Sequence, residues 1–326
     1  MNRREFCTTT GAVALGIPLS RVAYAQAKWP EKPITLIVPF TPGGGTDFLS
    51  RLIADRISKE TKWIFVVENK PGAGGNIGLG AVAKAPPDGY TIGMGQTANL
   101  ANNPALYRKM PYDSLKDFAP IALVASQPMV LVVRGEGPYK TLADLISAAK
   151  AKPETVKMGS AGAGTIAHLS AELLGRLADV KFLIVHYKGA GPVVTDLLSG
   201  TTDFSFSTVP PILSMVRAGK LRALAVSSTK RLSLLPDVPT VDESGYKGFE
   251  TDSWYGLVAT AKTPPTIITQ INAEVDKALK RPDVIEKLAA EGSVPLGGSP
   301  EKFATYLKAE HAKWGAFIRE AGIKMD

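Results

Sequence analysis

Gly43-Gly44-Gly45-Thr46-Asp47 constrains this chain more than any other stretch. Before it lies an apolar run over 34–40. In its first part, Ile34-Thr35-Leu36-Ile37-Val38, nearly every residue is apolar or β-branched. That is the pattern of a strand covered on both faces, as in a parallel sheet. After the glycines, Leu49, Leu52, Ile53 and Ile57 recur at helical spacing, which predicts a helix that Thr46 or Asp47 caps. Glycine lets bare backbone approach a ligand, and a helix amino terminus favours negative charge. The same strand, glycine loop and helix sequence is expected twice more. One instance is Pro71-Gly72-Ala73-Gly74-Gly75 after a strand over 63–67; the other is Gly159-Ser160-Ala161-Gly162-Ala163-Gly164-Thr165 after a strand over 156–159.

These units belong to a longer alternation. A third strand over 91–95 runs into Gln96-Thr97-Ala98-Asn99, so the first part reads as an open α/β sheet. A second α/β unit follows, with strands expected over 129–133, 156–159, 182–185, 203–206 and 221–226 and helices between them. After a strand over 253–259, helices over 267–279, 284–290 and 303–318 lack strand partners of their own. They are expected to pack back on the first unit. The expected domains are therefore 26–127 with 249–326, and 128–248; a chain of 326 residues suits two such domains. Two crossings between them form a hinge, and the cleft at the carboxyl ends of the strands is where ligands bind.

The formal charge of +8 comes from 38 Lys and Arg against 30 Asp and Glu. That balance favours an anionic ligand or an acidic surface. No dense basic run occurs, so nucleic-acid binding is not expected. The first 25 residues read as a cleaved export leader. They have Arg3-Arg4 at the start, a short apolar run over 11–19, and small residues at Ala23-Tyr24-Ala25 and Ala25-Gln26-Ala27. Asn2-Arg3-Arg4-Glu5-Phe6 resembles a twin-arginine signal, with a general secretion signal as the alternative. No other stretch reaches the roughly 18 apolar residues that span a bilayer. The expected destination is the periplasm, as a soluble chain. Cys7, the single cysteine, lies in the leader, so the mature chain would hold no thiol, disulfide or cysteine metal site.

Motifs for chemistry are sparse. Gly72-Ala73-Gly74 is followed by Ile77 where a dinucleotide fingerprint needs its third glycine. The three histidines, His168, His186 and His311, have no metal-ligand spacing. His168 reads as a structural histidine. A Ser160–His168 nucleophilic pair lacks both a G-x-S-x-G elbow and an orienting third group. No cofactor or metal is expected. Backbone N–H groups in glycine loops suit a carboxylate because their partial positive charge is fixed. Asp47 is expected to cap the helix beneath the first loop. Thr97 and Asn99, after the third strand, lie at the expected cleft edge. For Asp203, ligand contact and a solvated turn both stand open. Arg134 and Lys188 read as surface residues more than counter-charges.

Several segments, in order, carry a family resemblance. They are Val38-Pro39-Phe40-Thr41-Pro42-Gly43-Gly44-Gly45-Thr46-Asp47, Val67-Glu68-Asn69-Lys70-Pro71-Gly72-Ala73-Gly74-Gly75, Pro87-Asp88-Gly89-Tyr90-Thr91, Tyr187-Lys188-Gly189, Gly219-Lys220-Leu221-Arg222-Ala223-Leu224-Ala225-Val226, Leu235-Pro236-Asp237-Val238-Pro239-Thr240 and Trp254-Tyr255-Gly256-Leu257. The set resembles the Bug family, the extracytoplasmic substrate-binding proteins of tripartite tricarboxylate transporters, from about Trp29 to the carboxyl terminus. The resemblance implies a two-lobed periplasmic-binding-protein fold of the class II type, with two open α/β sheets and a ligand cleft between them. It implies a small carboxylate ligand held partly through backbone N–H groups and ordered water, and membrane transporter subunits as partners. A monomer is expected, with no enzymatic activity.

Carried over motif by motif, the resemblance points to Phe40, Thr41, Gly44, Asp47, Ala73 and Gly74 in the first lobe. In the second it points to Ser160, Gly164, Thr165 and Asp203. Thr97 joins them from its position alone. Phe40, Phe204 and Phe206 lean toward an aromatic or aliphatic acid over citrate. The alternatives are a periplasmic hydrolase on the same scaffold and the sensor domain of a regulator. The latter would need a DNA-binding helix-turn-helix at one end.

Overall fold

The structure is a computed structural model and describes residues 29–324. The leader and Cys7 lie outside the described residues. The chain opens with β1 (Ile34–Val38), α1 (Gly45–Thr61), β2 (Phe65–Asn69), a 3-10 turn (Ala73–Gly75), α2 (Asn76–Ala83) and β3 (Thr91–Gln96). A π-helical turn (Ala98–Asn102) leads into the single-turn α3 (Asn103–Leu106), then β4 (Phe118–Pro128) and β5 (Val130–Arg134). Next come α4 (Leu142–Ala151), β6 (Lys157–Ser160), α5 (Ile166–Ala178), β7 (Leu183–His186), α6 (Ala190–Ser199), β8 (Phe204–Ser207), α7 (Leu213–Arg217) and β9 (Leu221–Val226). The chain closes with β10 (Asp252–Thr260), α8 (Pro265–Leu279), α9 (Pro282–Ala290), β11 (Val294–Pro295) and α10 (Pro300–Glu320).

Two sheets form, with orders β11-β4-β10-β3-β1-β2 and β7-β6-β8-β5-β9. Each has the same plan. Three parallel strands lie in the order 2-1-3, as βαβ crossovers dictate. An antiparallel strand that has just arrived from the other sheet then inserts beside them: β10 in the first, β5 in the second. The strands that arrive from the other sheet, β5 and β10, therefore sit inside the sheets rather than at their edges. At the crossings, Met129 N–H donates to Ser227 Oγ at 2.8 Å and Ser227 N–H to Met129 O at 2.8 Å. Thr251 N–H donates to Ser227 O at 3.2 Å, which ties the outgoing and returning chains together.

The apolar run at the start explains why β1 is central. Ile34 and Leu36 face the core shared with α1 and α8, while Ile37 faces the opposite core. Leu49, Leu52, Ile53 and Ile57, all buried, fix α1 on that first face, each such side chain contributing about 1.5–3 kcal/mol. The last helices pack on the first sheet: α8 lies against β4 and α1, and α10 lies against β4 and the π-helical turn. One difference from the sequence expectation stands between them. The two-residue β11 pairs antiparallel with β4, Val294 opposite Ser126, so this segment does find a strand partner.

Candidate functional site

The carboxyl ends of the parallel strands in the two sheets point at one another, and a cavity lies between them. From the first lobe it is lined by Phe40, Thr41, Gly44, Gly45, Thr46, Gln96, Ser253 and Tyr255. From the second it is lined by Ala161, Thr165, Ile166, Ala167, Ala190, Val193, Phe206, Ser207 and Thr208, with Met129 contributed by the crossing. Strand geometry explains several of these. Gln96 is the last residue of β3 and Ser207 the last of β8. Ser253 and Tyr255 are two apart on β10 and so share a face.

Three helix amino termini meet at the cavity. Helix α1 presents Gly45 and Thr46, α5 presents Ile166 and Ala167, and α6 presents Ala190. Gly44 and Gly189 cap α1 and α6 without any side-chain bond, leaving the first-turn N–H groups to whatever occupies the cavity. The two termini face each other across the lobes: a Cβ built on Gly44 would lie 3.7 Å from Ala190 Cβ. Helix α5 is capped by Thr165 Oγ1, which accepts from His168 N–H at 3.4 Å. Aligned peptide dipoles place partial positive charge at each of these ends.

Among the described residues, no lysine, arginine, histidine, aspartate or glutamate lines the cavity. Tyr255 is the one titratable group among its described lining residues, and burial pushes its phenol up, which keeps it neutral. Thr41 Oγ1 is buried with no hydrogen-bond partner among the described residues. The site therefore offers an anion fixed backbone dipoles and hydroxyls instead of a counter-ion.

The residues expected from the sequence fall into three groups. Phe40, Thr41, Gly44 and Thr165 line the cavity. Asp47, Thr97, Ser160, Gly74 and Gly164 neighbour it without lining it, and Ala73 lines a separate surface hollow with Asn76, Ile77 and Lys84. Asp47 is the third residue of α1, not its cap. Its carboxylate accepts from Gly43 N–H at 3.1 Å, from Arg51 Nε at 3.0 Å and from Asn69 Nδ2 at 3.0 Å. Burial works against its charge, but these bonds outweigh it and hold the carboxyl below its ordinary range. Thr97 Oγ1 accepts from Trp254 N–H at 3.0 Å and so secures β10. Ser160 Oγ donates to Gly162 O at 2.8 Å and lies 3.2 Å from Thr165 Oγ1, bracing the third loop from within. Gly164 N–H donates to His168 Nδ1 at 3.2 Å, so that imidazole nitrogen is bonded to the loop rather than to Ser160. Ala73 is exposed, and Gly74 abuts Ala163 O of the other lobe.

Asp203 lies at the opposite end of its sheet. It precedes β8, and its carboxylate accepts from Lys157 N–H at 2.7 Å at the start of β6. Both positions are at the amino ends of these parallel strands, the far end from the cavity. An open α/β sheet binds at carboxyl ends. Strand direction thus argues against Asp203, and the same rule would have found Ser207 and Thr208, which the sequence reading passed over. Ala190 was also missed as a site residue, although Tyr187-Lys188-Gly189 is a further glycine loop between a strand and a helix.

Two sheets joined by two chain crossings, with helix amino termini around a neutral cavity between them, define a two-lobed protein. The sequence profile described as tripartite tricarboxylate transporter family receptor matches residues 49–323, and the chain belongs to that family. Its receptors are periplasmic solute-binding proteins. The chain is 36% identical over 321 residues to Protein BugT of Bordetella pertussis, covering 98% of this chain and 96% of that protein. Among solved structures it is similar to R. palustris Rpa4515 with adipate, at a TM-score of 0.88 and 38% identity, covering 91% of this chain and all of the other. MatC (Rpa3494) from Rhodopseudomonas palustris with bound malate superposes with a TM-score of 0.84 at 32% identity, covering 88% and 99% of the two chains.

Proposed function

We propose that this chain captures one small organic carboxylate between its lobes in the periplasm and delivers it to the membrane subunits of a tripartite tricarboxylate transporter. The observation that carries this reading is the meeting of three helix amino termini at a cavity with no ionised side chain. A carboxylate there accepts N–H bonds from fixed backbone and keeps its charge, whereas a cation would meet the positive ends of three dipoles. The adipate and malate in the structural relatives support a carboxylate as the ligand class.

The cavity walls also bear on the rest of the ligand. Phe40, Met129, Val193 and Phe206 are apolar, and a second ionised group lying against them would be buried without a counter-charge. The preferred ligand therefore carries one carboxylate on an aliphatic or aromatic body. Thermal-shift screening of organic acids, followed by calorimetry, tests the assignment. The right acid binds one to one and raises the melting temperature, with about 2.7 kcal/mol of added stability at a hundredfold excess over Kd. If no acid shifts melting while an ester is hydrolysed, the receptor reading falls.

A further inference from the structure

We infer that Asn102, presented by the π-helical turn Ala98–Asn102, is a closure latch: a positioning residue that holds the two lobes together from outside the ligand cavity. Asn102 Nδ2 donates to Gly164 O at 2.9 Å, and the two residues belong to opposite lobes. Neither residue lines the cavity, but Thr165, one position on from Gly164, lines it and caps α5. The latch bond is therefore one peptide away from the ligand-facing wall. On its own lobe Gly164 is fixed by its N–H bond to His168 Nδ1. A pull on its carbonyl is thus a pull on a seated loop.

The surroundings are built for this contact. The turn closes with Asn103 N–H bonded to Ala98 O, five residues back. Such turns are rare and frequently mark functional positions. Asn103 Nδ2 donates to Gly74 O at 3.1 Å and to Asn76 Oδ1 at 2.6 Å, so the neighbouring amide holds the second glycine loop in place. That loop and the third meet with no room for side chains. A Cβ on Gly74 would lie 2.4 Å from Ala163 O, and one on Gly164 would lie 1.9 Å from Asn103 Oδ1. Both glycines also have positive φ, +61° and +74°. Asn102 is wholly buried and its Oδ1 has no hydrogen-bond partner among the described residues, so the Nδ2 bond to Gly164 O is the one that offsets the burial of this amide. When the lobes part, the Asn102 amide and the Gly164 carbonyl return to water together, so the bond favours closure specifically.

This inference rests on the receptor reading, and the experiment separates the two. Purified wild type, Asn102→Ala and Asn102→Leu are titrated with adipate, malate and benzoate, and dissociation is followed by stopped flow. Leu keeps nearly the size of Asn but cannot donate to the Gly164 carbonyl, so it serves if the cavity left by Ala disturbs folding. The expected result is dissociation faster by roughly 3–10-fold for every acid that binds, the worth of one hydrogen bond. Association stays within about twofold, the order of preference among acids is kept, and the melting temperature without ligand is unchanged. Unchanged dissociation, a changed order of preference, or an equal fall in melting with and without ligand overturns the latch. Failure of the wild type to bind any of the three acids counts against the carboxylate reading and takes the latch with it.

Discussion

His168 and His186 pack edge to face beneath the third loop, with ring centroids 4.8 Å apart. Burial, and then the neighbouring His168, pull the His186 imidazole down to about 4, against a smaller opposing effect of Glu172. An unfolded histidine holds its proton up to about pH 6.5. Between these values the unfolded chain binds more protons than the folded one, so stability falls as pH falls from about 6.5 toward 4. His186 is nonetheless exposed by its accessible surface, so solvent screens it and the loss is much smaller than the shift alone implies. Melting curves between pH 6.5 and 4.5 should show a shallower decline for His186→Asn than for wild type; equal slopes would contradict this. At the same scale, the glycines of the first loop were legible because only bare backbone serves there, whereas Ser207, Thr208 and Ser253 look like ordinary strand residues until strand direction is known. The charge of Asp203 drew attention that its place at a strand start does not support.

Among the elements, α10 shows what the sequence pattern withheld. Its helical spacing was visible, but not its anchor. Glu310 Oε2 accepts from Trp254 Nε1 at 3.0 Å and from Trp314 Nε1 at 2.9 Å, so one carboxylate joins β10 to the last helix. Both indoles are buried. Glu310→Ala leaves two buried N–H donors without partners and should cost about 2–6 kcal/mol, while Glu310→Gln, which keeps an acceptor, should cost less. Urea denaturation of the two variants measures the difference; an Ala variant as stable as Gln would contradict it. Such an anchor joins residues 56 apart and has no periodicity to betray it. The π-helical turn was equally hidden, since Ala98-Asn99-Leu100-Ala101-Asn102 has neither a strand's alternation nor a helix's stripe. By contrast Thr141, a threonine just ahead of an apolar helical run, forms a full capping box with Asp144, and that signal is wholly local.

For the whole molecule, alternation of strand and helix was enough to expect two open sheets, and the crossings into β5 and β10 explain how one chain builds both. The identity of the cavity wall depends on both lobes at once and could not be read along the chain. The account turns on one physical statement: backbone dipoles, without a counter-ion, select the negative charge of a carboxylate. Calorimetric titration of a monocarboxylic acid beside its own neutral primary amide, for hexanoate and for benzoate, tests it most directly. The account predicts one-to-one binding of at least one acid and loss of at least a hundredfold in affinity for its amide, about 2.7 kcal/mol. Equal affinity for acid and amide would contradict it.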